Sequence, residues 1–336
     1  MTPTAIVLAI VGVAVVLIAW GGYELMLQNG RMLLRLKTVE EYLRQRGVTP
    51  PDASQHHARD VEGFFADPPR SANSPANAPS TPPAGAAARD DQTVLILTPL
   101  KDAARFLPSY CKGLAQLSYP HRAISIGFLE SDSRDKTHAE LSNYVPQLEK
   151  EFRRVGVWKR DFGYRVPIGM HRGDDAIQGE RRAVLARGRN HLLFHALDDE
   201  DWVMWLDVDI VEYPPDIIQR LIATGVDIVQ PHCVIDYGGR TFDRNAWRDQ
   251  GRLHLEDLRL EGDLVELHAV GATMLLVRAD LHREGLVFPT FPYGVDNPFT
   301  RQKLGEVETE GLGIMARDMG YRCWGMPNLE IRHARH

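Results

Sequence analysis

The sequence predicts an α/β domain, a mostly parallel sheet covered by helices, preceded by a single transmembrane helix. Three observations predict it: short continuous apolar runs closed by turn residues, helical stretches between those runs, and an uncharged N-terminal run of nearly bilayer length. The first apolar run is "TVLILTP", opening at Thr93; "AISIGFLESDS" opens at Ala123 and "VGVWKRDF" at Val155. Helical stretches are expected at about Lys136–Phe152 and Glu180–Leu197. They are followed by the strand Trp202–Leu206, a helix opened by Pro214 and Pro215, and the buried strand "DIVQPHCV". In sheets of this kind ligands bind at the carboxyl ends of the strands. The domain is expected to occupy residues 92–336.

Ahead of it, "AIVLAIVGVAVVLIAW" (Ala5–Trp20) carries no charge. Extended through Gly22 and Tyr23 it reaches about 19 residues, close to the ~20 that span a bilayer. Nothing basic precedes the run, and the end at Trp20–Tyr23 has the aromatic character of a membrane interface. We therefore read an uncleaved anchor over residues 1–23, with a signal peptide as the competing reading. Arg31, Arg35, Lys37, Arg44 and Arg46 all follow the run, which puts the bulk of the chain on the cytosolic side by the positive-inside rule. Residues 24–47 carry Leu25, Met32, Leu36, Val39 and Leu43 at near-heptad spacing. This is either a short coiled coil, able to make a homo- or hetero-oligomer, or an amphipathic helix lying on the membrane. Residues 48–91 are rich in Pro, Ala and Ser and short of large apolar side chains, so they read as a disordered linker. A flexible chain of that length reaches roughly 30–35 Å.

Composition narrows the function. The 336 residues carry a net charge of −6, which leaves no electrostatic footprint for nucleic acid. Cys111, Cys233 and Cys323 are widely spaced and read as buried or free thiols. Neither the dinucleotide-binding glycine fingerprint nor the P-loop pattern occurs. What stands out is "DWVMWLDVDIVEYPPDII", in which Asp207 and Asp209 follow the apolar strand. In extended chain, residues two apart face one side, so both carboxylates can meet one hard cation such as Mn²⁺ or Mg²⁺. The competing reading is an acidic helix cap, for which Asp216 is better placed. A second pair, Asp199 and Asp201, precedes the strand and reads as a polar turn.

"ILTPLKDAARFLPSY", "GFLESDSRDKT", "ARGRNHLL", "WVMWLDVDIVEYPPDII", "GLVFPTFPY", "ETEGLGIMARDMGY" and "GMPNLEIRH" occur in an order and spacing that resembles the Anp family, fungal Golgi α-mannosyltransferases of the mannan polymerase complexes. The likeness covers Val94 to His333. It implies a GT-A glycosyltransferase fold, GDP-mannose as donor, a divalent metal, usually Mn²⁺, and a glycan or lipid-linked acceptor. Carried over residue by residue, Asp209 would be a direct metal ligand, Asp207 would touch the metal or the ribose, and His333 would be the third metal contact. Thr98, Pro99, Lys101 and Asp102 would form the loop that meets the nucleotide, although Lys101 also reads as an ordinary exposed lysine. Asp132 would lie near the nucleoside, and Asp135 reads equally as a helix cap. One of Arg187 and Arg189 would meet the diphosphate, since a guanidinium offers paired donors; spacing does not choose between them. Glu310 would be a general base, an acceptor-orienting carboxylate, or only a favourable charge at a helix start. His268 stands where the family has an acidic residue. The resemblance also implies a Golgi lumenal domain, whereas the charge bias around the anchor implies the cytosol. A noncatalytic scaffold subunit that keeps the fold is the alternative function.

Overall fold

The structure is a computed structural model that describes residues 92–335 apart from 168 and 171–173. The expected anchor, juxtamembrane helix and linker lie outside the described residues. Among the described residues no helix is long and apolar enough to cross a membrane.

The apolar runs form the parallel half of a nine-stranded sheet. β1 (Val94–Leu100) pairs in parallel with β2 (Ile124–Glu130) on one side and β4 (Trp202–Leu206) on the other, and β2 pairs with β3 (Arg154–Lys159). Helices α1 (Leu107–Ala115), α2 (Thr137–Glu151) and α3 (Asp175–Ala196) connect them. β5 (Ile210–Glu212), α4 (Ile217–Ile222) and β6 (Ile228–Val234) follow. Next come β7 (Val265–Leu267), β8 (Met274–Arg278), α5 (Ala279–Arg283), α6 (Glu308–Asp318) and β9 (Cys323–His333).

The second half departs from the expected parallel order. The strand order is β3-β2-β1-β4-β8-β6-β9-β5, with β7 also on β9. β8 runs antiparallel to both β4 and β6, and β5 and β7 run antiparallel to β9, so the sheet is mixed. β6 and β9 restore a parallel pair across a register shift at Pro231 and His232.

Alternation along the strands divides the core between the two faces. Val94, Ile96, Met204 and Leu206 join α1 and α4 residues such as Leu107, Tyr110, Ile217 and Leu221. Leu95, Leu97, Val203 and Trp205 join Ala186, Leu192 and Leu193 of α3 and Leu312 and Ala316 of α6. Gly127 sets how closely α3 lies on the sheet, because a Cβ there would stand 2.8 Å from Leu97 Cδ2 and 3.1 Å from Ala196 Cβ. All residues of β1, β2 and β4 except the half-buried Pro99 are buried, which is why these strands read as continuous apolar runs.

Element ends differ modestly from expectation. α3 begins at Asp175, before its apolar period is established. The helix after Pro214–Pro215 begins only at Ile217. Asp216 stands at its N-cap without a side-chain cap bond and instead accepts from Arg220 Nε at 2.8 Å. Asp199 and Asp201 are structural, as expected: Asp199 takes the Arg153 guanidinium, and Asp201 accepts Thr93 N–H at 2.6 Å. All three cysteines are buried free thiols.

One buried histidine gives the fold a pH dependence. His282 of α5 is 5% exposed and its Nδ1–H donates to Leu286 O at 2.7 Å. Burial pushes its pKa down to about 4. Between that value and the usual ~6.5 the unfolded chain binds the proton and the folded chain does not, so stability is complete above pH ~6.5 and is lost as pH falls toward 4. At ~1.4 kcal/mol per unit, the loss from this group is about 3 kcal/mol near pH 4. Thermal melts of the wild type and His282→Gln from pH 7 to 4 should give a shallower acid limb for the variant; parallel limbs would refute the assignment.

Candidate active site

The carboxyl ends of β1, β2 and β4 open into a cleft of about 660 Å³. Its walls come from the loop after β1 (Pro99, Lys101, Asp102, Arg105), the loop after β2 (Ser131, Asp132, Arg134), Tyr164–Val166, α3 (Arg181, Leu185, Gly188) and Val208–Asp209. Lys101, Arg105, Arg134, Arg165 and Arg181 make this wall basic, in a chain whose net charge is negative.

Asp209 lines this cleft, Asp207 lines a second, smaller cavity, and neither stands in extended chain. β4 ends at Leu206, and Ile210 N–H donates to Asp207 O at 3.2 Å, so Asp207–Ile210 is a turn. Each carboxylate has its own partner. Asp207 Oδ1 accepts from Arg189 Nη2 at 3.2 Å. Asp209 Oδ1 stands 3.2 Å from His333 Nε2. Asp207 keeps 29% of its side-chain surface, yet enough protein surrounds it that burial pushes its carboxyl up to about 6 against the opposing pull of Arg189. At His333, burial disfavours the charged ring, but the Asp209 carboxylate outweighs it and raises the pKa. Nδ1 of that ring is 2.7 Å from Ala334 O, and Phe242 stacks on its face. Among the described residues no group of three or more His, Cys, Asp or Glu is placed to hold a metal ion. Arg189 of α3 pairs with Asp207, and β9 sets His333 beside Asp209.

The remaining sequence candidates fall into distinct places. Thr98 is fully buried, and its hydroxyl donates to Leu206 O at 2.8 Å, tying β1 to β4 below the cleft. Lys101 Nζ donates to Tyr164 O at 2.9 Å, and Asp102 Oδ1 accepts Arg134 N–H at 2.6 Å. Asp132 accepts Phe162 N–H and Gly163 N–H, each at 3.0 Å, and so shapes the loop that faces it. Asp135 accepts Thr137 N–H at 2.9 Å, a cap-like contact at the start of α2. Arg187 is exposed, whereas Arg189 is 6% exposed and stands against Asp207. Asn190 clamps Phe288 through both of its backbone polar groups.

Glu310 is fully buried within α6. Its carboxylate accepts from Arg182, from Trp247 Nε1 at 2.8 Å and from Arg301 Nη2 at 2.8 Å. Glu308 is the residue that sequence reasoning passed over. It holds a left-handed backbone (φ 60°) while 3% exposed, accepts from Arg189 Nε at 3.1 Å, and lines a second cavity that Asp207 also lines. Its presence beside Glu310 in "ETEG" was the available signal, but first-turn helix residues cannot be oriented by periodicity.

Residues 79–259 match the Anp1 family. The chain belongs to the Anp1 family. This Anp1-family chain is 32% identical over 285 residues to the mannan polymerase complex subunit mnn9 of Schizosaccharomyces pombe, covering 73% of this chain and 81% of that one. It is 29% identical to the MNN9 subunit of Candida albicans, with 72% and 74% covered. Against the mannan polymerase II complex ANP1 subunit of Saccharomyces cerevisiae it is 29% identical, covering 71% of this chain and 54% of that one. Among solved structures, the mannosyltransferase PcManGT from Pyrobaculum calidifontis, in complex with GDP-Man and Mn²⁺, aligns with a TM-score of 0.44 at 16% identity over 73% of this chain and 58% of that one. S. aureus TarS 1–349 with UDP aligns at 0.43 and 12% identity over 72% and 60%. The match over residues 79–259 and the identity to mnn9 establish the expected family.

Proposed function

We propose that this Anp1-family chain is a glycosyltransferase subunit that binds a nucleoside-diphosphate sugar, GDP-mannose, in the cleft over β1, β2 and β4 and passes the hexose to a glycan or lipid-linked acceptor. The observation that carries the reading is the Asp209–His333 pair at the edge of a basic cleft. Arginines and a lysine around such a cleft suit a diphosphate, for which paired guanidinium donors have the right geometry.

The chemistry of the donor set fits Mn²⁺ or Mg²⁺ at two residues. Asp209 offers an anionic oxygen and His333 an imidazole nitrogen, the latter favouring Mn²⁺. Asp207 is engaged by Arg189, so its part would be to hold that arginine. A bound ion would supply charge neutralisation for the departing diphosphate. Arg189 and Arg181 would add fixed positive charge beside it. The anchor expected at residues 1–23 would keep the domain at the membrane, on the cytosolic side by its flanking charges.

A second reading is favoured by two observations: the relatives are named as subunits of complexes, and no three-residue metal group forms among the described residues. Here the chain is a noncatalytic GT-A-fold scaffold of a glycan-synthesising complex, and these observations bear on it more directly than on transfer. Calorimetric titration of the full-length chain with GDP-mannose, GDP and UDP-sugars, with and without Mn²⁺, separates the two. Metal-dependent binding of GDP species supports the transferase; a folded chain that binds no nucleotide leaves the scaffold.

A further inference from the structure

Between α5 and α6 the chain folds into a loop, residues 291–306, that lines neither cavity. Tyr293 and Glu306 exchange backbone hydrogen bonds at 2.9 and 2.8 Å, and Asp296 N–H donates to Lys303 O at 3.2 Å, so the two ends run side by side as in an Ω-loop. Its interior is built. The Glu306 carboxylate, 1% exposed, accepts Arg301 N–H at 2.6 Å and Gln302 N–H at 2.9 Å. On the α6 side, Asn297 Nδ2 donates to Asp318 Oδ1 at 3.1 Å, and Arg317 Cζ lies 4.2 Å from the centre of the Phe299 ring. Gly305 closes the loop with φ 97°, where a Cβ would stand 2.2 Å from Tyr293 O.

On this fixed frame several large apolar side chains face outward. Phe291 is 63% exposed, Val295 61% and Leu304 71%, whereas the polar Thr300 is buried. The rungs at Tyr293–Glu306 and Asp296–Lys303 put Val295 across from Leu304, so these two are neighbours and not scattered surface residues. Pro292 and Pro298 are exposed in the same loop. Charge at the tip nearly cancels: Lys303 and Asp296 are both exposed and opposite in sign, and Arg301 Nη2 donates to Glu310 at 2.8 Å.

Few occupants suit such a tip. A stable protein interface uses roughly 20–30 residues a side on a matching surface, and here three side chains stand out from one loop. A lipid interface asks only for apolar groups that reach past the headgroups, with a lysine able to extend its ammonium back to water. We propose that this loop inserts Phe291, Val295 and Leu304 into the interface of a phospholipid bilayer. The anchor expected at residues 1–23 and a linker reach of roughly 30–35 Å supply a second attachment. Insertion is then intramolecular, and contacts too weak to hold a free protein suffice. The near-neutral tip makes the contact insensitive to salt. It stands whether or not the cleft binds a nucleotide sugar.

The native cysteines are all buried, so a bimane attached at Val295→Cys reports on the loop alone. The full-length labelled chain is reconstituted in phosphatidylcholine nanodiscs with and without bromine on the acyl chains. Insertion to the ~5–10 Å depth of interfacial segments should shift the emission to the blue and quench it by more than about half, equally at low and high salt. Phe194→Cys, at a position 67% exposed on α3, should stay unquenched. Adding Leu304→Asp to the Val295→Cys chain should return the emission to its level in unbrominated discs, with thermal melting to confirm the fold. Emission from Val295→Cys that bromine leaves unchanged, or equal quenching at positions 295 and 194, overturns the proposal. A blue shift without quenching that grows with the number of chains per disc assigns the loop to a second copy and overturns it as well.

Discussion

Glu310→Ala should destabilise the domain by about 3–5 kcal/mol, the range for removing one partner of a buried ion pair. The carboxylate is fully buried and accepts from Arg182, Arg301 and Trp247. Of the two arginines, Arg182 has only 12% of its side chain exposed, so alanine would leave its guanidinium, away from water, with only Val307 O at 2.9 Å and Glu308 at 3.7 Å. Nearby Glu306, whose pKa is raised by burial and by Glu310, would become the remaining carboxylate of the group. Glu310→Gln keeps an acceptor for the indole N–H while removing the charge, and should lose less. Urea unfolding of the two variants measures the difference. A Glu310→Ala protein as stable as the wild type would show that the arginines find other partners and that the network contributes little. Glu310 lines neither cavity, so lost activity in a Glu310 variant is evidence of catalysis only once its stability has been measured.

The second large effect concerns Asp209. On the proposed reading, Asp209→Ala removes a direct metal ligand and should lower Mn²⁺-dependent binding of GDP-mannose by more than about 100-fold, the upper end of what even outer-shell changes cost a metal site. The fold should be unaffected in comparison, because the carboxylate's partner, His333, still has its contacts to Ala334 and the Phe242 ring. His333 gives the independent control. Its raised pKa depends on Asp209, so in the variant the imidazole should titrate at lower pH, as read by NMR of the ring protons. Donor affinity that is unchanged in Asp209→Ala, and equal with and without Mn²⁺, would remove the metal from the proposed mechanism.

Burial on both faces writes β1, β2, β4 and β6 as continuous apolar words that could be read from sequence, and β3 was read as well although its residues are half-buried or exposed. β9 defeats that reading. Its buried and half-buried residues mostly alternate, Pro327 interrupts it, and its pairing shifts register against β6. β8 is apolar throughout its inner residues, but an apolar run carries no sign of its direction, and its antiparallel placement between β4 and β6 helps turn an expected mostly parallel sheet into a mixed one. At the site, "DVD" announced acidic residues at a strand end, but not the turn that separates their partners. Whether Arg187 or Arg189 faces inward depended on how α3 rolls onto the sheet, which Gly127 and the packing of Leu192 and Ala196 determine. Asp243 had no legible signal, since its buried carboxylate fits only because the distant residue 271 is glycine, where a Cβ would stand 1.8 Å from Oδ2.

Because β8 lies between β4 and β6, the order in which the chain emerges differs from the order in which its strands are neighbours. β4, buried along its whole length, can pair with β1 as soon as both are made, but its other edge stays open until Met274–Arg278 arrives. His333 comes later still, on β9. Such non-local pairing slows folding and leaves a long-lived apolar edge, the kind of edge that invites association between incomplete chains. Refolding yield should therefore fall steeply with protein concentration, and fragments that stop before β8 should aggregate even though they contain both aspartates.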